Sequence, residues 1–294
     1  MSDRTPRDDG GTALAERYSA TAVDYARLWS PVIRPMGQRL IRAMPLATAD
    51  RILDVGTGVG ALVPDIQTAA PGALVIGVDG ALGMLKVAQA SVTIPLAAMD
   101  AGRLGFRSDS FDAAVLAFVL FHLPDPVQGL VEIGRVLRPG GVLGVATWGP
   151  PASFGASDVW DDVLTAFGAQ ADPVASNDRD ELMDTPNKLV ELLTAAAFDV
   201  VKCWNERFEH RWTLDALMAQ RVAFGSYQRR IETLGPATRD ACLARVREQL
   251  ASLPADDLVF RPDIVFAIGQ CQGNSVQTRS HRVAASPKRS APRE

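Results

Sequence analysis

Short apolar runs alternate with longer stretches of helical periodicity through the middle of the chain. Five of these runs are rich in Val, Ile, Leu and Ala and read as strands: RILDV, ALVIGVD, IPLAAMD, FDAAVLAF and GVLGVATW. Helical spacing fills the intervals to about Ala70, to about Ser91 and from about Pro126 to Leu137. Alternating strands and helices form parallel sheets with helices on both faces, and strands covered on both faces are apolar throughout. The pattern therefore predicts an α/β fold.

Helical periodicity also precedes the first strand. Over residues 13–45 apolar residues recur every three or four positions, with an interruption at Pro31, which predicts two helices. Residues 1–12 are charged and glycine-rich and show no apolar period, so we expect a disordered N-terminus.

The composition changes to Gly, Pro, Ser and Asp after Trp148, which predicts an insertion over about residues 150–184 with one helix near Val159 to Phe167. The segment TPNKLVELLTAAAF then reads as a helix with Thr185 at its N-cap and proline at the first helical position. The segment DVVKCWNERFEHRW follows as a long strand.

A second insertion covers about residues 213–255 and contains two predicted helices, from Leu214 to Leu234 and from Pro236 to Leu250. The segment LVFRPDIVFAIGQ then reads as the last strand. Because both insertions follow late strands, we expect them to form one helical cap on a single domain that spans residues 13–270.

The end of the chain, residues 271–294, has five Lys and Arg residues against a single acid, Glu294, and almost nothing to bury. We expect a disordered basic tail; an arm that binds a partner protein or nucleic acid is the alternative.

The overall charge and composition exclude several function classes. The net charge of -4 and a pI near 5.5 argue against broad binding to nucleic acid or to an anionic membrane surface. The longest apolar run, Ala113 to Phe121, is too short for a membrane span, and the polar start is unlike a signal peptide, so we expect a cytoplasmic protein. Three widely spaced cysteines suggest neither disulfides nor a zinc site, and we expect no metal.

The segment Arg51 to Ala61, RILDVGTGVGA, is the first candidate ligand-binding segment. In it a strand ends in a loop with Gly56, Gly58 and Gly60. Such a loop lets backbone N–H groups approach a ligand beyond the carboxyl end of the sheet. By itself the loop also fits a dinucleotide site, or a tight turn that binds nothing.

Three acidic residues at strand ends restrict the kinds of ligand that the loop could bind. Asp54 lies two residues before Gly56, where it disfavours a phosphate but attracts an amine. Asp79 ends the second strand and suits ribose hydroxyls, and Asp100 ends the third and suits an exocyclic adenine amine. Amine, ribose and adenine together describe S-adenosylmethionine.

The motifs ILDVGTGVG, VIGVDGALGML, MDAGRLGFRSDSFDAAV, FHLPDP and EIGRVLRPGGVL occur in the order and spacing of the class I S-adenosylmethionine-dependent methyltransferases. Over about residues 15–150 the chain most resembles the small-molecule branch, which includes ubiquinone/menaquinone-type and natural-product enzymes. The resemblance implies a Rossmann-like seven-stranded sheet of order 3-2-1-4-5-7-6, in which strand 7 is antiparallel.

The resemblance also implies roles for individual residues. The three loop glycines would line the methionine part of the cofactor, with Asp54 at its amino-acid end and Asp79 at the ribose. The remaining cofactor residues lie near the adenine or in a lid helix ahead of the first strand: Gly80, Met84, Asp100, Ala101 and, in the lid, Tyr25. A plain core role for Met84 is an equal alternative.

His122 in FHLPDP is the candidate general base, because it follows the fourth strand and titrates near neutral pH; orientation of a loop is its alternative role. Aromatic residues of the cap and nearby loops could line the acceptor pocket or simply hold the cap together: Phe121, Trp148, Phe154, Trp160, Phe224 and Tyr227. Arg221, Arg229 and Arg230 could recognise a carboxylate or phosphate, although a solvated helix face is the favoured interpretation.

We therefore expect an enzyme that transfers a methyl group from S-adenosylmethionine to an oxygen, carbon or nitrogen atom of a small molecule, in secondary metabolism or quinone biosynthesis. The main alternative is a cofactor-binding protein of the same fold that catalyses a cyclisation, rearrangement or decarboxylation. A nicotinamide dehydrogenase and a non-enzymatic protein that acts through its tail are further alternatives. Formation of a homo-oligomer is left open.

Overall fold

The computed structural model describes residues 10–172 and 179–272. The predicted disorder of residues 1–9 and of the basic tail from residue 273 onward lies outside the described residues. Two boundaries differ from the predictions. The first helix begins at Gly10, so residues 10–12 are helical, and the last strand extends to Cys271.

Seven strands form one sheet in the order β3-β2-β1-β4-β5-β9-β6. The strands have the following bounds: β1 Arg51–Val55, β2 Leu74–Asp79, β3 Leu96–Ala98, β4 Phe111–Ala117, β5 Leu137–Trp148, β6 Phe198–Arg207 and β9 Asp263–Cys271. Strand β9 is antiparallel to both of its neighbours, whereas the pairs from β3 to β5 are parallel. Since β9 is the seventh strand of this sheet, the predicted order and its one antiparallel strand are confirmed.

The centre of the sheet is apolar on both faces, which is why its strands lack alternation. Ile52 and Leu53 are neighbours in β1, point to opposite faces, and are both 0% exposed. The same is true of Val115 and Leu116 in β4. Burial on both faces requires helices on both sides of the sheet, and these are present.

Helix α1 Gly10–Leu28 packs on α4 and α2, and the following helices pack on the sheet itself: α2 Ser30–Ala43, α3 Val63–Ala69, α4 Leu82–Gln89, α5 Pro126–Val136 and α7 Pro186–Ala195. Their starts follow local sequence rules. Proline occupies the first turn of α2, which explains the predicted break at Pro31. The side chain of Asp125 accepts a hydrogen bond from Gln128 N, and that of Thr185 accepts one from Lys188 N, as expected for N-caps.

The two insertions form a cap with its own hydrophobic cluster around Trp160, which is 0% exposed. The cap consists of α6 Gly155–Ala166, α8 Leu214–Ala223, α9 Ser226–Glu232, α10 Pro236–Ser252 and a two-stranded sheet of β7 His210–Arg211 with β8 Val259–Phe260. Helix α8 also contacts α1, so the cap lies beside the N-terminal helices.

Three predicted elements are divided in the structure. The helix expected from Leu214 to Leu234 breaks at Gly225, whose φ of 90° lies in the left-handed region that favours glycine. The last strand breaks before Asp263, because Pro262 has no N–H group to donate to the sheet. The predicted long sixth strand ends at Arg207, because the residues after it pair with β8 instead of with the main sheet.

Candidate active site

The glycine loop turns directly after β1 and is held against the end of β2. The backbone N–H groups of Gly56 and Thr57 both donate to the carbonyl of Val78, at 2.8 and 2.9 Å. The N–H group of Gly58 donates to Asp79 Oδ2 at 2.8 Å. The loop is therefore fixed by contacts with β2, and its shape does not depend on a ligand.

All three loop glycines have positive φ angles, but only one faces open space. A Cβ atom on Gly56 would lie 2.2 Å from the Val119 side chain, and one on Gly60 would lie 3.1 Å from Val92. At Gly58 the nearest atom would be 4.0 Å away, while φ is 56°. The backbone at Gly58 is thus bare on one side, as a ligand cradle requires.

Asp54 is buried beside this cradle. Its side chain accepts a hydrogen bond from Thr57 Oγ1 at 2.6 Å, and the residue is 3% exposed. Desolvation by burial raises the pKa of Asp54 to about 6, although the Thr57 hydrogen bond acts in the opposite direction. A buried carboxylate without a cation is a ready partner for an ammonium group.

Asp79 lies at the end of β2, where its two oxygens accept backbone hydrogen bonds. Oδ2 accepts from Gly58 N, and Oδ1 accepts from Ala81 N at 2.7 Å. Burial raises the pKa of this carboxyl group above its ordinary value, and the two backbone hydrogen bonds oppose that effect. Asp79 therefore links the glycine loop to the start of α4.

The remaining predicted cofactor residues are more scattered. Asp100 is exposed at the end of β3, and its Oδ1 accepts from Gly102 N at 2.8 Å, while Ala101 is half-buried beside it. Gly80 is exposed, and Met84 is 2% exposed in a cluster under α1. The structure does not bring Asp100 into the cleft that contains Asp54.

Helix α1 closes over the start of α4. Ser19 Oγ accepts a hydrogen bond from Gly83 N at 3.0 Å. Ala22 packs with Met84 and Ala81 in the same cluster. The predicted lid helix therefore lies across the end of β2, above Asp79.

Replacing Gly83 by alanine is expected to detach α1, because the added Cβ would lie 2.2 Å from the Ser19 carbonyl oxygen. Overpacking of this kind costs about 1–3 kcal/mol, so amide hydrogen exchange in α1 should accelerate roughly tenfold to a hundredfold. Hydrogen-exchange mass spectrometry measures this, with Gly72→Ala as control since a Cβ there meets nothing within 4 Å. If the amide protection of α1 is unchanged in Gly83→Ala, the packing of α1 over the start of α4 is contradicted.

His122 ends a short 3-10 turn, Leu120–His122, which follows β4. Its Nε2 is hydrogen-bonded to the Tyr18 hydroxyl at 2.9 Å, and its buried Nδ1 has no partner among the described residues. Desolvation lowers the pKa of His122 to about 4, with smaller contributions from Arg17 and Arg179. The ring is therefore neutral at pH 7 and has one nitrogen available for a further hydrogen bond.

A narrow cleft lies between the glycine loop and the N-terminal helices. Three predicted residues besides Asp54 line it, namely Tyr25, Gly56 and Gly58. Burial raises the pKa of the Tyr25 hydroxyl well above its ordinary value, so this side chain is neutral. These predicted residues are brought together at the carboxyl end of β1.

Among the other residues that line the cleft, Arg34 and Phe118 stand out, and sequence reasoning did not identify either of them. Arg34 of α2 is held by Asp65, whose Oδ2 accepts from its Nε at 3.0 Å. Phe118 has a φ of 60°, which is strained for a bulky residue. Neither had a sequence signal, because Arg34 is one of many helix arginines and Phe118 continues an apolar run.

The predicted acceptor aromatics lie mostly in hydrophobic clusters. Phe121 is 5% exposed in the main core, and Phe154 and Tyr227 are buried in the cap. Trp148 is half-buried, and its ring centroid is 4.8 Å from that of Phe118. Phe224 lies 5.9 Å from the Tyr25 ring and so borders the cleft.

The described part of the chain contains no cluster of three or more His, Cys, Asp or Glu residues that could bind a metal. Within residues 10–172 and 179–272, no helix combines the length and the apolar character that a membrane crossing needs.

Comparison with known proteins identifies relatives in sequence and in fold. The methyltransferase-domain family matches residues 53–145. The demethylmenaquinone methyltransferase of Mycobacterium sp. (strain KMS) is 33% identical over 170 residues, which are 56% of this chain and 70% of that protein. The demethylmenaquinone methyltransferase of Mycolicibacterium gilvum (strain PYR-GCK) is 35% identical over 169 residues, with the same coverage.

Two solved structures share the fold at low sequence identity. YcgJ of Bacillus subtilis has a TM-score of 0.51 and 16% identity, and the match covers 81% of this chain and 99% of YcgJ. The cyclase SpnF has a TM-score of 0.50 and 19% identity, with 82% and 81% covered. Sequence relatives and sheet order agree, and the chain belongs to the class I S-adenosylmethionine-dependent methyltransferases.

Proposed function

We propose that the chain transfers a methyl group from S-adenosylmethionine to an oxygen, carbon or nitrogen atom of a small-molecule acceptor, with oxygen favoured. The observation that carries this proposal is the arrangement at the carboxyl edge of β1, β2 and β4. A buried acid, a bare glycine backbone and a neutral histidine lie there beneath the N-terminal helices α1 and α2.

The residues of the cleft fit the amino-acid end of S-adenosylmethionine. Asp54 is buried and has no cationic partner among the described residues, so it would bind the ammonium group, either directly or through water. Gly58 leaves its backbone open toward the ligand. Arg34 lines the same cleft and supplies the positive charge that the cofactor carboxylate requires, while Asp65 holds its Nε.

The ends of β2 and β3 would hold the nucleoside. Asp79 retains acceptor capacity beside the glycine loop, which suits ribose hydroxyls. Asp100 and Ala101 would flank the adenine, with Gly80 and Met84 next to it. Because α1 covers Asp79, we propose that this helix moves when the cofactor enters and closes over it afterwards.

When bound, S-adenosylmethionine supplies an electrophilic methyl group on a sulfonium. The protein then has to orient the acceptor, exclude water and remove a proton where the acceptor needs it. Tyr25 lines the cleft and, with the lid helix, would exclude water from it. His122 is neutral and therefore able to accept a proton; in the tautomer in which Nε2–H donates to Tyr18, Nδ1 carries the free lone pair.

The low basicity of His122 favours an acidic acceptor group. A histidine whose pKa is about 4 removes a proton poorly from an aliphatic alcohol, but better from a phenol, enol or hydroquinone. Such acceptors occur in quinone biosynthesis and in secondary metabolism, and the relatives named demethylmenaquinone methyltransferases agree with the first. Trp148, Phe118 and Phe224 would contact a planar acceptor.

The decisive experiment has two stages. Isothermal titration with S-adenosylmethionine and S-adenosylhomocysteine tests cofactor binding first. Incubation with S-adenosylmethionine and demethylmenaquinol, or a panel of phenols and enols, is then analysed by mass spectrometry for S-adenosylhomocysteine and methylated product. Cofactor binding with an altered acceptor but no S-adenosylhomocysteine would instead establish the non-methylating alternative, and binding of neither cofactor form would refute the proposal.

A further inference from the structure

Three arginines near the junction of α8 and α9 have very different surroundings. Arg229 donates from both Nε and Nη2 to the buried carboxylate of Asp172. Arg230 donates to Asp161 Oδ1 at 2.5 Å. The favoured interpretation of this segment as a solvated helix face is therefore wrong for these residues, because two of the arginines form ion pairs across the cap.

Arg221 has no such partner. Within the described residues, no carboxylate lies within ion-pair distance of its guanidinium group, which donates only to Ser157 Oγ, at 3.1 Å from Nη2. Its Nε is buried and has no hydrogen-bond acceptor in the described part of the chain. The guanidinium carbon lies 4.5 Å from the centre of the Tyr227 ring, which fixes the side chain but does not neutralise its charge.

The charge of Arg221 is therefore left largely uncompensated inside the cap. Burial lowers the pKa of its guanidinium, while Tyr227 and Asp161 act in the opposite direction. Asp161 is already engaged, since one oxygen accepts from Arg230 and the other from the Tyr227 hydroxyl at 3.2 Å. An unpaired cation that is half-buried in this way is costly, and a bound anion would offset that cost.

A second unpaired donor lies against the same tyrosine. Trp160 packs 5.7 Å from the Tyr227 ring, and its buried Nε1–H group has no acceptor among the described residues. Two N–H donors beside Tyr227, one of them charged, thus lack an acceptor. An anion is the kind of group that would satisfy them.

The position of Arg221 places this group at the border of the active site. It lies three residues before Phe224, whose ring contacts Tyr25, and Tyr25 lines the cofactor cleft. Helices α1 and α8 are also in contact. Phe224 and Tyr25 thus connect the segment that contains Arg221 to the cofactor cleft.

We infer that Arg221 recognises a carboxylate or phosphate group on the acceptor, so that the substrates of this enzyme are anionic planar molecules. The inference rests on the proposed function, because it names the class of acceptor for that site. Ser157 would hold the guanidinium in place, and Tyr227 would form one wall of the subsite.

Benzoate, phenyl phosphate and the neutral analogue benzamide are the probes that test this inference. Thermal shift and calorimetric titration of the wild-type protein should show binding of benzoate or phenyl phosphate and little binding of benzamide. The anion that binds more tightly identifies whether the subsite takes a carboxylate or a phosphate. Arg221→Met should weaken binding of the anion about tenfold or more, because a charge-assisted hydrogen bond is lost. Arg221→Lys, which keeps the charge, should retain part of the binding.

The matched control is Arg247→Met, since Arg247 pairs with Asp215 on the exposed side of the cap. It should bind the anions as the wild type does. Without ligand, Arg221→Met should melt at the wild-type temperature or above, because it removes an uncompensated charge; a purely structural arginine would lower the melting temperature. Equal binding of benzamide and benzoate, or full anion binding by Arg221→Met, would overturn the inference.

Failure of the inference and failure of the proposed function are distinguishable. Arg221→Met should bind S-adenosylmethionine as tightly as the wild type does, because Arg221 lies outside the cofactor cleft. If the wild-type protein binds benzoate through Arg221 but does not bind S-adenosylmethionine, the anion subsite is supported and the methyltransferase proposal is refuted. The comparison of benzoate with benzamide needs no variant, so equal binding of the two would overturn the inference even if Arg221→Met does not fold.

Discussion

Replacement of Asp54 by asparagine is expected to weaken binding of both S-adenosylmethionine and S-adenosylhomocysteine by about 30- to 100-fold, which corresponds to roughly 2–3 kcal/mol. The amide keeps the shape of the side chain and an oxygen that can accept from Thr57 Oγ1. It loses the charge that would attract the ammonium group common to both ligands. Isothermal titration at pH 7 measures the effect.

The pH dependence gives the same prediction a sharper form. The pKa of Asp54 is raised to about 6, so the side chain becomes protonated as the pH falls through that value. Because only the ionised form attracts an ammonium group, wild-type affinity should fall by up to about tenfold per pH unit below pH 6. Asp54→Asn should lose this dependence between pH 5 and pH 7.

Asp158→Asn is the matched control for Asp54→Asn, because it makes the same chemical change at an exposed position of α6. Its affinity for the cofactor should equal that of the wild type. If Asp54→Asn binds the cofactor with wild-type affinity, the carboxylate only stabilises the loop through Thr57. In that case Asp54→Asn should have a lower melting temperature than Asp158→Asn.

Substitution of His122 by asparagine is expected to lower kcat by about 10²–10⁴-fold, the usual contribution of a positioned general base. The dissociation constant of S-adenosylmethionine should stay nearly constant, because His122 is not among the residues that line the cofactor cleft. Single-turnover formation of S-adenosylhomocysteine, with an acceptor identified in the assay above, measures the chemical step separately from product release.

Tyr18→Phe is the companion variant to His122→Asn. It keeps the aromatic contact with His122 but removes the hydroxyl that is bonded to Nε2 at 2.9 Å. If the hydroxyl only orients the ring, this variant should lose much less activity than His122→Asn. Wild-type kcat in His122→Asn would instead support the alternative in which the histidine orients the loop after β4.

The central sheet and the cofactor end of the site could be predicted from the sequence because their signals are local. Apolar runs without alternation predicted strands covered on both faces, and the strand order followed from the family resemblance. Asp54, Gly56 and Gly58 lie within five consecutive positions at one strand end, so the end of β1 brings them together in any fold that contains that strand.

The cap could be predicted only as a set of helices. Helical periodicity identifies the buried face of a helix but not the surface that covers it. The aromatics Phe154 and Tyr227 were therefore open to two interpretations, and only the packing shows that they are buried in the cap cluster. The division of the late helix at Gly225 likewise depended on a backbone angle that a glycine permits but does not require.

The sequence by itself determined the α/β architecture, the glycine loop and the acids at the strand ends, because each depends on residues that are close along the chain. The tertiary structure alone decided which charges are paired. Arg229 reaches Asp172 across 57 positions, and Tyr18 reaches His122 across 104. Arg221 differs from the arginines after it only in what the folded cap places beside it. Local patterns carry no information about such partners, since they come from elements distant in sequence that meet only when the chain has folded.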